Sequence, residues 1–216
     1  RQRQMCIRDR DNFLETYNSY LKAFAMTHLQ VQNLKAMTTV NGHTADLSTT
    51  DLSKAKFWSL SDVKCMQAAL ELAQQGASKE EVPVGAVLVQ EGNIIGEGFN
   101  QPILTCDPTA HAEIVALRSA CSALENYRLP ANTTLYVTLE PCTMCLGALI
   151  HARLSRLVFA TQEPRAGMVG SQLNLVEMDF YNHKIAVNYG LLQADSQQIL
   201  KSFFKARRTK KKNSSS

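Results

Sequence analysis

The chain has 216 residues, 45% of them hydrophobic, with a formal net charge of +4. This length supports one full domain with a sizeable core and an appendage. No run approaches the roughly 20 apolar residues of a membrane helix, and no apolar signal-peptide core follows the charged start "RQRQMCIRDR", so the expected setting is cytoplasmic, with no membrane partner.

The six cysteines include only one suggestive pair, which argues against a secreted disulfide framework. Charge is unevenly spread. Residues 1–60 carry +3, residues 61–200 carry −6, and residues 201–216 carry +7 with no acid among them. A basic tail of this kind is either a solvated charge run or a means of meeting phosphate backbones.

Residues 1–54 read as an N-terminal extension, poorly ordered or partly an artefact of assembly. Within it, Leu14, Tyr17, Leu21 and Phe24 share a helix-compatible stripe, and 38–54 is a Ser/Thr-rich linker. A domain over 55–208 follows, then a basic, Ser-ending tail over 209–216. The domain opens with a helix capped by Ser61, with Val63, Met66, Leu70 and Ala73 inward. "VPVGAVLVQ" (82–90) and "NIIGEGF" (93–99) form a hairpin turning at Glu91-Gly92. A helix is expected over 108–124, with Pro108 in its first turn. Then come a strand "TTLYVTL", a helix "CTMCLGALIHARL", a strand "RLVFAT", a fifth strand "HKIAVNYG" and a closing helix "DSQQILKSFFKARR". This order predicts an α/β layered sheet.

"PCTMC" (141–145) raises the chemical question. A CxxC pair alone fits a redox couple, half a structural zinc site, or two core cysteines. "TAHAE" (109–113) adds His111 and Glu113 at the start of another helix that follows a strand. Two helix N-termini then converge at one sheet edge. Cys142 and Cys145, at i and i+3, share a face, and a helix N-terminus favours thiolate. With His111 they make a Cys2His set, one ligand short of a closed tetrahedral zinc site. His151 lies more than two turns beyond the thiolates and makes a poor fourth ligand. His111 and Glu113 cannot both ligate from a helix interior, but Glu113 at a first turn can face the open position and carry protons. The combination H-A-E, 27 residues, P-C-T-M-C points to a catalytic zinc centre.

This is the zinc-deaminase signature. "EVPVGAVLV", "IGEGFNQPI", "DPTAHAEIVALR", "NYRL", "TLYVTLEPCTMCLGALIHARL" and "FFKARR", in this order, resemble the bacterial tRNA-specific adenosine deaminase family over about 61–208. The resemblance implies a three-layer α/β/α cytidine-deaminase-like fold with a five-stranded mixed sheet, usually as a homodimer. It implies one zinc per subunit, held by His111, Cys142 and Cys145, with Glu113 as proton shuttle. It also implies that Asn100 and the backbone around Ala112 contact the target base. The implied reaction is hydrolysis of adenosine to inosine at the wobble position of a tRNA anticodon stem-loop. The loop over 161–171 keeps a Gly-rich shape but departs from the family in its leading residues.

Val82, Pro83 and Leu139 are candidates for apolar pocket walls, or equally for ordinary core. Phe203 and Phe204 beside Arg207 and Arg208 suit stacked bases and phosphates; otherwise one Phe packs inward and the cations are solvated. Two rivals remain. A free-base or nucleoside deaminase would share the zinc site without needing a basic tail. A non-catalytic zinc-bearing RNA-binding subunit would be expected to lack Glu113.

Overall fold

The computed structural model describes residues 58–213. The readings made on the N-terminal extension, its apolar stripe, its linker and the final serines lie outside the described residues.

Helix α1 (Leu60–Ser78) starts two residues earlier than a cap at Ser61 would allow. Its N-cap is Ser59, whose hydroxyl accepts from the Asp62 N–H at 3.0 Å while Asp62 accepts from the Ser59 N–H at 3.0 Å. This reciprocal pair satisfies two orphan donors, which Ser61 could not do without a partner three residues on. Met66, Leu70 and Ala73 are buried as expected, and Val63 is half-buried. Strands β1 (Gly85–Gln90) and β2 (Asn93–Phe99) form the hairpin. Glu91 and Gly92 both have positive φ, 49° and 81°, as a tight two-residue hairpin turn requires. A short helix α2 (Pro102–Thr105), not anticipated, precedes α3 (Ala112–Ala123). Then follow β3 (Thr134–Leu139), α4 (Thr143–His151), β4 (Arg156–Thr161), β5 (Ala186–Tyr189) and α5 (Gln193–Asn213). The last helix continues past Arg208 into the segment read as tail.

The sheet order is β2-β1-β3-β4-β5. β1 runs antiparallel to both neighbours, while β3, β4 and β5 are parallel, giving the expected five-stranded mixed sheet. Period-two alternation divides each central strand between two apolar layers. Ala86, Leu88, Leu135, Val137, Leu157 and Phe159 face a cluster shared with Ala112, Ala116, Leu146 and Leu149 of α3 and α4. Val87, Tyr136, Val158 and Ala160 face Cys65, Met66, Ala69 and Leu72 of α1. The three layers are therefore helix, sheet, helix. Gly96 and Gly98 of β2 let α3 lie against the strand. A Cβ at Gly96 would sit 2.4 Å from the Ala116 carbonyl oxygen, and one at Gly98 2.7 Å from the Ala116 nitrogen.

β2 and β3 flank β1 and run in the same direction, so their C-terminal ends meet one edge of the sheet. The segments leading into α3 and α4 leave from that edge. Among the described residues, no helix is long and apolar enough to cross a membrane.

Candidate active site

The helix expected from Pro108 begins instead at Ala112, and the reason is local. The Asp107 carboxylate accepts from the Thr109 N–H at 2.8 Å and from its hydroxyl at 2.6 Å, and Arg118 pairs with it at 3.0 Å. That Asx turn competes with the helix and holds 107–110 as a loop. Its carboxyl is held down at about 2, first by the Thr109 hydroxyl. His111 becomes the N-cap residue in extended conformation, φ −70° and ψ 154°, with Glu113 in the first turn. The objection that i and i+2 diverge along a helix therefore does not apply to His111 and Glu113, because only one of them is helical.

Cys142 plays the same part for α4: an extended N-cap, φ −78° and ψ 175°, with Cys145 one turn on. The donors converge. His111 Nδ1 lies 3.7 Å from Cys142 Sγ and 3.5 Å from Cys145 Sγ, and the two sulfurs are 3.7 Å apart. A tetrahedral zinc with Zn–S of about 2.3 Å and Zn–N of about 2.0–2.1 Å spaces such donors about 3.6–3.8 Å apart. The three residues thus fit one face of a zinc tetrahedron and can hold a metal ion. His151 is exposed at the far end of α4 and is no part of the cluster.

One of the two sulfurs is favoured as thiolate, the form that binds metal. Cys142 is held down at about 4, first by the hydrogen bond from the Cys145 thiol and then by His111. The same hydrogen bond and burial push the Cys145 thiol up. His111 is raised, first through its contact with Cys142. Glu113 is 4% exposed, and burial pushes its carboxyl up to about 7.

Asn100 follows β2 and is buried. Its Oδ1 accepts from the Ala112 N–H at 2.8 Å. That bond satisfies an orphan donor of α3, fixes the amide orientation, and leaves the NH2 end to act as donor toward a ligand. It also commits the Ala112 N–H, so that donor is not free for a base. Glu81, buried, accepts from the Leu104 N–H at 2.7 Å and ties down α2.

The remaining candidates divide. Val82 and Leu139 are half-buried and pack on the α3/α4 core layer, and Pro83 is buried. Phe203, Phe204, Arg207 and Arg208 line a groove of about 810 Å³ together with Ala77, Glu80 and Lys210. The two rings meet edge to face at 5.5 Å, and the Arg207 guanidinium sits 5.6 Å from the Phe203 ring. Phe203 is half-buried and Phe204 is exposed, so neither fills the core, and the alternative in which one Phe packs inward does not hold. No lining residue of this groove belongs to the His/Cys/Cys cluster. Sequence reasoning missed Glu140, a buried carboxylate preceding "PC". A charged residue at the end of an apolar strand, directly before the motif, was the available signal.

Residues 60–208 match the family described as MafB19-like deaminase. The chain is similar to the tRNA-specific adenosine deaminase of Haemophilus influenzae, 49% identical over 162 residues, 74% of this chain and 93% of that protein. It is also similar to the tRNA-specific adenosine deaminase of Bacillus subtilis, 40% identical over 147 residues, 68% of this chain and 91% of that one. Among solved structures, one from studies of A-to-I editing by tRNA:A34 deaminases at the wobble position superposes with a TM-score of 0.62 at 42% identity, covering 63% of this chain and 99% of that chain. With the fold, the cluster and these likenesses in agreement, the chain belongs to the tRNA-specific adenosine deaminase family.

Proposed function

We propose that this chain hydrolyses adenosine to inosine at the wobble position of a tRNA anticodon stem-loop, in the cytoplasm and as a homodimer. The observation that carries the reading is a three-donor set with zinc-like spacing and a fully buried carboxyl, Glu113, beside it. His111, Cys142 and Cys145 would hold one zinc per subunit. Zinc bound there supplies the Lewis acidity that makes water nucleophilic at neutral pH. Glu113 takes one proton from the attacking water and delivers it to the ring nitrogen, then takes the second from the new hydroxyl on the ring carbon and delivers it to the amine, which departs as ammonia. Its raised pKa suits both directions of transfer. Asn100, braced by the Ala112 N–H, donates its amide hydrogens to an acceptor on the base edge. Atoms balance: adenosine and water give inosine and ammonia. The target base reaches such a pocket cheaply because a hairpin loop already exposes it.

The domain that does this spans 55–208, with 1–54 an extension and 209–216 a basic tail. A chain starting near Ala55 is expected to keep its melting temperature and its activity; a large drop in either measurement would assign the extension to the domain. The reaction itself is tested by mass spectrometry of tRNA anticodon loops after incubation with the protein. Conversion of adenosine to inosine at the wobble position supports the reading. Fast turnover of free bases or nucleosides, with no response to RNA, would replace it by the free-base alternative.

A further inference from the structure

Glu140 is 3% exposed, yet among the described residues none of its hydrogen-bond partners is a cation. Its carboxylate is filled by donors from one loop. Oε1 accepts from the Val169 N–H at 2.8 Å and the Ser171 N–H at 3.1 Å. Oε2 accepts from the Glu163 N–H at 3.0 Å and from the Ser171 hydroxyl. A buried carboxylate is costly unless its lone pairs are occupied, and here four donors occupy them. The fit is close: a Cβ on Gly167 would lie 2.4 Å from the carboxyl carbon. The backbone is fastened at the same place. The Glu140 N–H donates to the Thr161 carbonyl at 2.9 Å, and the Pro141 carbonyl accepts from the Met168 N–H at 3.0 Å.

The next residue is Cys142. Cys145 is set by its helix, and His111 by the turn that Asn100 and Asp107 brace. Cys142 is an extended N-cap with no side-chain cap bond; its carbonyl is held by the Leu146 N–H at 2.9 Å, and the other side of the residue is placed by whatever holds Pro141. We propose that Glu140 is a positioning residue: by binding the 163–171 loop it clamps the Pro141–Cys142 turn and keeps the Cys142 thiolate in the metal-binding geometry. This rests on the zinc reading above. Partners of this indirect kind typically change metal affinity about 10–100-fold when lost.

The test is metal release rather than turnover. Zinc content is first measured on the full chain, and loss to a chromophoric chelator is then timed. Glu140→Gln keeps the shape but turns an NH2 toward donors that need an acceptor. It is expected to release zinc about tenfold faster or more. Gly167→Ala crowds the same carboxylate while leaving it in place and is expected to do the same; where Glu140→Gln fails to fold, this variant decides alone. Tyr136→Phe, in the polar cluster on the opposite sheet face, controls for general loss of stability and should release zinc at the parental rate. Parental release from folded Glu140→Gln or from Gly167→Ala overturns the proposal, as does equally fast release from Tyr136→Phe. A parent chain that binds no zinc overturns the metal reading itself, and this assignment with it.

Discussion

Two carboxyls, Glu113 and Asp62, are buried to similar degrees and held in opposite protonation tendencies. At Glu113 burial dominates and the carboxyl rises to about 7. At Asp62 burial also acts upward, but hydrogen bonds from Ser59, Tyr136 at 2.7 Å and Arg156 at 2.7 Å together hold it at about 2. The first arrangement suits proton transfer and the second suits structure. Glu113→Ala is therefore expected to keep zinc and fold while losing turnover by more than the roughly 10²–10⁴-fold of a single acid–base group, because several transfers depend on it. Zinc content and single-turnover rate on an anticodon stem-loop check this; loss of zinc, with the rate restored by added zinc, would make Glu113 a ligand instead. Asp62 carries a pH signature. Its folded pKa lies below the unfolded value, so its contribution is present above about pH 4 and fades as pH falls toward 2. The shift corresponds to about 2 kcal/mol. Asp62→Asn should be less stable than the parent by about that much at neutral pH, with the gap closing in acid. Denaturant unfolding across pH measures it, and a gap independent of pH would remove Asp62 from this role.

The helices that carry the site are placed by backbone proximity. α3 lies on β2 over Gly96 and Gly98, and a side chain at either would meet backbone atoms of α3 that cannot swing aside. Gly96→Ala puts a methyl 2.4 Å from the Ala116 carbonyl oxygen. Overpacking of this kind costs about 1–3 kcal/mol, and here it lifts the helix that holds His111 and Glu113. Lower melting temperature together with weaker zinc retention is the expected result; unchanged values for both would show that the strand gives way instead. Element identity was largely legible in the sequence. "NIIGEGF" and "RLVFAT" match β2 and β4 residue for residue, because strand alternation and turn residues are local signals. Helix starts were less legible. Ser61 lacked the reciprocal partner that Ser59 has in Asp62, and Pro108 suggested a first turn that the Asp107–Thr109 hydrogen bonds prevent. The metal donors were legible because their spacing is a short motif. The pairing of Glu140 with the 163–171 loop was not, since those partners lie 23 to 31 residues away and no local pattern joins them.

Charge is organised over the whole molecule, and it bears on how an RNA would be held. Residues 61–200 sum to −6, so phosphate contacts must come from selected cations or from α5 and its tail. α5 places Lys205, Arg207 and Arg208 on an exposed helix, with Phe203 and Phe204 at the groove against the end of α1. One tail cation, Lys210, pairs with Glu80 at 2.6 Å, but both side chains are about three-quarters exposed, and such pairs contribute little. Ending the chain at Phe204 removes six positive charges and no negative ones while sparing both rings. Among the described residues, none beyond 204 belongs to either apolar layer, so the domain is expected to stay folded. Each contact to a single-stranded phosphate adds about −0.7 to the log–log salt slope of binding. Losing two or three should flatten that slope by roughly 1.4–2.1. Binding of an anticodon stem-loop should weaken, while the single-turnover rate at saturating RNA changes much less, because the groove shares no residue with the metal cluster. The measurement is affinity of intact and shortened chain across salt, with the saturated rate alongside. An unchanged slope would move the phosphate contacts off α5 and onto the cations of the domain itself. A rate that collapses even at saturation would instead show that α5 shapes the reacting pocket.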